Sequence, residues 1–314
     1  MADPFGPKQA SAAGIVRPPA HAGSFYPADP EALRRLVDAL LRESARSAAW
    51  AGPSGTRAGG DQAGVEPPLG LLVPHAGLVY SGRVAAAGWR ALLANPPAAI
   101  VLVGTNHYVS GLDGIAVWPA GSWTCPLGAV PVEAGLAARI VALGPPFSAD
   151  SAAHAAEHSL EVQLPFLAGE PTVTPIVPLL ASFRSRAEAE TAGGHLGHLL
   201  SDERASGRRL TVAVSSDLVH YPPAEAAERA DRELLEAVVD LDGAALERRD
   251  AAWRRAGVPG LVCGLCGLDA VLFTLAALRA MGATGGSILA TATSADVPFG
   301  DPRRTVGYGA VAFD

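Results

Sequence analysis

The stretch Leu69-Gly70-Leu71-Leu72-Val73-Pro74-His75 is a short apolar run that stops at a histidine, and the chain repeats that arrangement twice. Ala99 to Gly104 leads to His107, and Leu210 to Ser216 leads through Asp217-Leu218-Val219 to His220. Each run is rich in Val, Leu and Ile and is followed by Gly, Pro, Ser or Asn, the pattern of a strand buried on both faces and then a turn. Strands of that kind build parallel sheets. In an open α/β sheet, ligands bind in the crevice outside the carboxyl ends of the strands. Three imidazoles delivered there converge on one site, and convergent imidazoles suggest a metal.

The segments around these runs supply the rest of an α/β chain. Asp29-Pro30-Glu31 is a helix start, and Leu33, Leu36, Val37, Leu40 and Leu41 continue it as an apolar stripe. Gly82 to Ala94 reads as the helix of a right-handed βαβ crossover between the first two histidine-bearing strands. Further strands are expected at Thr172–Leu180, Ser287–Thr293 and Val306–Phe313. Helices are expected at Glu133–Leu143, Arg186–Leu200, Ala224–Leu241 and Cys263–Met281. Pro175 and Pro178 place the Thr172–Leu180 strand at an edge or break it. One domain over residues 15–314 is expected, after a disordered tail (1–14) and with a flexible Ala/Gly/Ser-rich insertion at 47–64.

Composition narrows the function. The chain has 314 residues, 49% of them hydrophobic, enough for a large core. A formal charge of −7 without Lys/Arg runs argues against nucleic acid or an anionic membrane as the main partner, leaving a small molecule or a protein. Met1 to Gly14 contains no apolar signal-peptide core, so a cytoplasmic location is expected. Between Ala256 and Leu278 only Asp269 is charged, but Pro259, the glycines and that Asp make this a buried helix rather than a membrane span. Three cysteines, Cys125, Cys263 and Cys266, are too few and too unevenly spaced for a disulfide framework.

His75 and His107 lie in small-residue turns, Pro74-His75-Ala76-Gly77 and Gly104-Thr105-Asn106-His107, where a ligand can approach the backbone. Asp217 and His220 are three apart, so one turn can present both to a cavity, the carboxylate orienting the imidazole or binding metal itself. The competing role for Asp217 is to cap the next helix. Cys263 and Cys266 form a Cys-x-x-Cys pair at an expected helix start, which suits one thiolate as a ligand beside the histidines better than a redox pair or a structural zinc site. His154-Ala-Ala-Glu157-His158 matches the His-x-x-Glu-His pattern of zinc peptidases. That pattern needs a long helix, and Pro145, Pro146 and Pro165 leave room for only a few turns.

Several of these motifs, in order, resemble one family. They are Arg17-Pro-Pro-Ala-His21-Ala-Gly-Ser-Phe-Tyr26-Pro, Pro74-His75-Ala-Gly-Leu-Val-Tyr80-Ser-Gly82, Gly104-Thr-Asn-His107, Glu157-His158-Ser-Leu-Glu161-Val-Gln-Leu-Pro165, Ser215-Ser-Asp217-Leu-Val-His220, Cys263-Gly264 and Gly307-Tyr-Gly-Ala. Over nearly its whole length the chain resembles the Memo family, whose prokaryotic members are called AmmeMemoRadiSam system protein B and whose fold is similar to that of class III extradiol dioxygenases. The resemblance implies a three-layer αβα fold with a largely parallel or mixed central sheet. It implies a metal site of His75, His107 and Cys263, with Asp217 and His220 lining the pocket. Extradiol dioxygenases carry two histidines and a carboxylate around ferrous iron, so a thiolate here softens the site: iron(II) or copper are the expected metals, with zinc a competitor. Tyr108 follows His107 where the family often has a second histidine, and Cys266 stands where a histidine can occur.

The function expected on these grounds is a metal-dependent oxidoreductase in which Asp217 orients the site or a bound water and neutral His220 is the acid/base. A second expectation is a non-catalytic partner of an AMMECR-type protein and a radical SAM enzyme, and a third is a zinc hydrolase. A pocket lined by Tyr26, Tyr80 and His220 would take a small aromatic molecule or a peptide side chain.

Overall fold

A computed structural model describes residues 15–47 and 67–314. The expected tail at 1–14 lies outside the described residues, as does the expected insertion at 47–64 apart from Ser47. In chain order the elements are β1 (Val16–Arg17), α1 (Pro30–Ser47), β2 (Gly70–Val73), α2 (Leu78–Leu93), β3 (Ala99–Thr105), β4 (Gly114–Val117), β5 (Ser122–Cys125) and β6 (Gly128–Pro131). They continue with α3 (Ala134–Val141), β7 (Phe147–Ala149), α4 (His158–Glu161), α5 (Leu164–Ala168), β8 (Ile176–Ser182) and α6 (Arg186–Ala205). The chain closes with β9 (Leu210–Ser215), α7 (Ala224–Val239), α8 (Gly243–Arg255), α9 (Leu268–Ala280), β10 (Gly286–Thr293) and β11 (Gly307–Phe313).

The main sheet has eight strands in the order β10-β11-β2-β9-β3-β8-β4-β7. Its centre, β2-β9-β3-β8, is parallel, while β11 joins β2 and β4 joins β8 antiparallel. The three histidine-bearing runs are therefore neighbours, and all three end at the same edge. Successive residues of β3 point to opposite layers. Ile100 and Leu102 pack with α1, α2, α4 and α5. Val101 and Val103 pack with α3, α6, α7, α8 and α9. This is the three-layer αβα fold, with a small sheet, β1-β5-β6, added to the first helical layer.

Local chemistry sets the element ends. Asp29 Oδ1 accepts from Ala32 N and starts α1, Glu133 and Ser185 cap α3 and α6, and Asp242 caps α8. Two expectations need correction. The strand carrying Pro178 is interior, between β3 and β4. The Pro178 carbonyl accepts from Trp118 N, the residue just after β4 ends, so the donor that proline lacks would face a side where the neighbouring strand has stopped. The expected Cys263–Met281 helix begins only at Leu268, which leaves both cysteines in a loop.

Candidate metal centre

His75 leaves β2, His107 leaves β3, and His220 follows β9, as the buried runs require. A fourth histidine joins them. The ligand nitrogens of His75, His107 and His158 all lie within 4.8 Å of one another, a group that could hold a metal ion. The rings of His107 and His158 are 4.3 Å apart centre to centre, and His75 lies edge-on to both at 5.2 and 5.3 Å.

His158 arrives because the one-turn helix α4 packs tightly on the end of β3. A Cβ on Gly104 would come within 2.6 Å of Leu160 Cγ and 2.7 Å of Ser159 Oγ, so only glycine lets the two segments approach. Glu157, the N-cap of α4, is fully buried and ties the segments together. Its carboxylate accepts from His107 N at 2.9 Å, from Ser159 N at 2.8 Å and from His107 Nδ1 at 2.8 Å. Burial pushes this carboxyl up, but the hydrogen bonds from the His107 ring and the two amides outweigh it and bring it down to about 2. Facing an anionic Glu157, Nδ1 of His107 is a protonated nitrogen, and in the neutral ring this leaves the lone pair on Nε2, the carboxylate–histidine arrangement typical of metal ligands.

Burial, then the neighbouring imidazoles, pulls His158 down to about 3. His75, also buried, is lowered as well, with burial the largest cause and Asp217 opposing it. Neutral imidazoles are the form that binds metal. The donor set fits a metal: three ring nitrogens converge, at least one is oriented by a carboxylate, and a sulfur is in contact.

That sulfur is Cys266 Sγ, 3.3 Å from His107 Nε2 and 3.6 Å from His75 Nε2. The Cys263–Gly267 loop is pinned over the end of β9. Leu265 N donates to Asp250 Oδ1, Cys266 N to Asp217 O, and Gly267 N to Ser216 Oγ. A Cβ on Gly267 would sit 2.2 Å from Thr105 Oγ1, so this approach also demands glycine. Cys263 instead pairs through its backbone with His220, whose N donates to the Cys263 carbonyl. It lies outside the three-histidine group. Burial and the carboxylates of Asp250 and Asp217 push the Cys263 thiol up to about 11, and burial followed by Asp217 raises Cys266 too. Raised in this way, both thiols are held in the protonated form.

Asp217 does not cap a helix. Its buried Oδ1 accepts from His75 N and Ala76 N, and Oδ2 faces His220 Nε2 at 3.8 Å. Burial raises its carboxyl, yet His75 and His220 prevail and hold it below the ordinary range. Tyr221, next to His220, adopts φ +73, rare for a bulky residue, and is clamped by Thr305 O on its amide and Arg304 3.9 Å over its ring.

The sequence-expected residues thus divide. His75, His107, Asp217 and His220 share one edge of the sheet. Tyr26 does not line the pocket with Tyr80: it is buried and donates to Glu161 at 2.5 Å, while Tyr80 stacks edge-on with Phe299. The His-x-x-Glu-His motif does not form a metal pair. His154 closes a separate 3₁₀ turn, its Nδ1 on Asp150 O and its ring against Trp118 and Trp123. His158, which the sequence offers in that motif and in the family resemblance without a role, is not expected there as a partner of His75 and His107, nor is Glu157 as the group that orients His107. The adjacent Glu157-His158 pair was the available signal. Among the described residues no helix is long and apolar enough to cross a membrane.

A family profile described as Memo-like protein matches residues 17–312. A MEMO1 family protein of Methanopyrus kandleri is 34% identical over 307 residues, covering 95% of this chain and 99% of that protein. One of Methanothermobacter thermautotrophicus is 34% identical over 300 residues (94% and 99%), and one of Aquifex aeolicus 32% over 304 (95% and 99%). With near full-length matches of this kind, the chain belongs to the Memo family.

Proposed function

We propose that this protein is a metal-dependent oxidoreductase related to the extradiol dioxygenases, its metal held by His75, His107 and His158 together with a thiol of the Cys263–Cys266 loop. The observation that carries the reading is the convergence of three ring nitrogens within 4.8 Å beside a sulfur. Nitrogen and sulfur donors of this kind suit iron(II), copper or zinc, and iron(II) or copper would supply the redox chemistry the reading needs. Ligand access is from the side of His107, whose ring is 23% exposed, whereas His75 is closed off at 1%.

The chain's own groups would do the rest. Asp217 holds the His75 turn by its backbone and keeps a negative charge beside His220. With Nε2 of His220 toward Asp217, Nδ1 is the nitrogen left to take or give a proton to a bound substrate. The rings of His21, Phe25 and Tyr108 surround His158 and offer flat faces to a small aromatic molecule or a peptide side chain.

The test is metal content of the full chain purified with and without oxygen, for wild type and for His107→Ala, His158→Ala, Cys263→Ala and Cys266→Ala. Near-stoichiometric iron or copper, lost with either histidine, supports the reading. Loss with Cys266→Ala alone makes Cys266 the sulfur donor, as the contacts favour, and loss with Cys263→Ala alone makes it Cys263, as the family resemblance favours. No bound metal in any redox state overturns the reading. A non-catalytic partner protein, engaging AMMECR-type or radical SAM proteins, is the second reading. It is favoured by apolar residues exposed near the site, Tyr108 at 50% and Val262 at 66%.

A further inference from the structure

Behind His75 lies a closed line of buried polar groups that the site has not yet used. Trp89 Nε1 donates to Gln163 Oε1 at 2.7 Å. Gln163 Nε2 donates to Pro74 O and to Ser215 Oγ, each at 2.9 Å. Ser215 Oγ donates to Ser159 O at 2.6 Å, and it stands 3.2 Å from His75 Nδ1. Trp89, Gln163, Ser215 and Ser159 are all fully buried, so none of these atoms has water as an alternative partner.

Donor and acceptor capacity leaves one arrangement of protons. An indole nitrogen only donates, so Gln163 must turn its carbonyl to Trp89 and its amide to Pro74 O and Ser215. The amide only donates and the Ser159 carbonyl only accepts, so the single hydroxyl proton of Ser215 goes to Ser159. What Ser215 can still offer His75 is a lone pair. His75 must then carry its proton on Nδ1.

We infer that Ser215 is a positioning residue, set by Trp89 and Gln163, that holds His75 as the Nδ1-protonated tautomer and so directs the lone pair of Nε2 toward the other ligands before any metal arrives. The inference rests on the proposed metal site for its purpose and on the hydrogen-bond chain for its content. The hydroxyl also spans two ligands, joining the ring of His75 to the carbonyl of the residue after His158. His107 is set the same way by Glu157. Two Nε2 lone pairs thus face the Cys266 sulfur, whose one proton can satisfy only one of them. The site is organised for a cation by neutral hydroxyl chemistry on one side and by a carboxylate on the other.

The experiment is a ¹⁵N–¹H long-range correlation spectrum of the imidazole rings in the metal-free full chain, with His75 assigned from its absence in His75→Gln. Wild type is expected to show His75 as one species protonated at Nδ1, and Ser215→Ala to convert it to a mixture of tautomers. Ser215→Thr, which keeps the hydroxyl, is expected to restore the wild-type form. Zn²⁺ titrated against a chromophoric chelator is expected to bind about 10–100-fold more weakly to Ser215→Ala than to wild type. A wild-type His75 protonated at Nε2 or present as a mixture overturns the inference, as does a folded Ser215→Ala chain with an unchanged tautomer. If wild type binds no metal, the functional reading falls while the tautomer still decides this one.

Discussion

Two carboxylates at the ends of one short helix face different tasks. Glu157 caps α4 and Glu161 ends it, both fully buried. Glu157 is held by hydrogen bonds from an imidazole and from backbone amides, and serves a ring that must give up its other nitrogen. Glu161 is neutralised by Arg17 at 2.6 Å, by the Tyr26 hydroxyl and by the amides of Ala20 and His21. Its hydroxyl and amide partners have no second task, although Arg17 also donates to the carbonyls of His154 and Glu157. The comparison teaches that burial alone does not mark a functional carboxylate. What marks it is a partner left with an unused lone pair.

The largest effect expected from breaking this contrast is on stability. Glu161→Ala leaves Arg17, 2% exposed and stacked on Trp123, as an uncompensated buried charge, and should cost about 3–5 kcal/mol in urea denaturation. Metal affinity should change much less, by under about tenfold, through the Arg17 link to the Glu157 carbonyl. The same pair sets an acid limit. Although burial raises the Glu161 carboxyl, the Tyr26 hydroxyl and Arg17 hold it below its ordinary value. A depressed folded-state value means that the stabilisation is complete above the unfolded carboxyl range of about 4.3 and is lost as pH falls through the folded value. Metal-free wild type should therefore lose stability below that range, and Glu161→Gln should show a shallower slope there. Equal slopes would remove Glu161 from the acid transition.

Glu157→Gln tests the other end. The amide can still accept from the ring or from a backbone amide, so stability should fall by about 1–2 kcal/mol. The loss should appear instead in metal affinity, about 10–100-fold, because the ring of His107 is no longer backed by a charge. If Glu157→Gln proved as destabilising as Glu161→Ala and left metal affinity unchanged, the two carboxylates would have the same role and the contrast would fail.

The same helix marks how far the sequence could be read. Strands β2, β3 and β9 are legible because a strand buried on both faces is a continuous apolar run, and that fixed His75, His107 and the Asp217–His220 turn at one edge. The interior place of β8 was not legible, because Pro178 forbids a central strand unless the neighbouring strand stops beside it. Helix α4 is a single turn and has no period to detect. The arrival of His158 depends on the missing side chain of Gly104 some fifty residues earlier, a contact no local pattern contains. The Cys-x-x-Cys spacing leaves open which sulfur stands near the rings, the family resemblance implies Cys263, and it is Cys266 that contacts them, because both cysteines lie in a loop before α9. Hydrogen bonds from Leu265, Cys266 and Gly267 to residues distant in sequence hold that loop.

The smallest effect sharpens the comparison most. Tyr26→Phe removes one of the donors to Glu161 without leaving a charge unpaired, because Arg17 and the amides of Ala20 and His21 remain. A hydrogen bond to a charged group is worth about 1.5–3 kcal/mol, and with the other donors kept the loss should sit at or below the low end. The variant should bind metal as wild type does, since Tyr26 touches neither Glu157 nor a candidate ligand. Its acid transition should move upward, toward the ordinary carboxylate range, because the hydroxyl is one of the groups holding the Glu161 carboxyl down. Such a shift with unaltered metal affinity would separate the two ends of α4 within one variant. A loss of metal affinity as large as that of Glu157→Gln would show instead that the Arg17–Glu161–Tyr26 cluster supports the metal ligands directly.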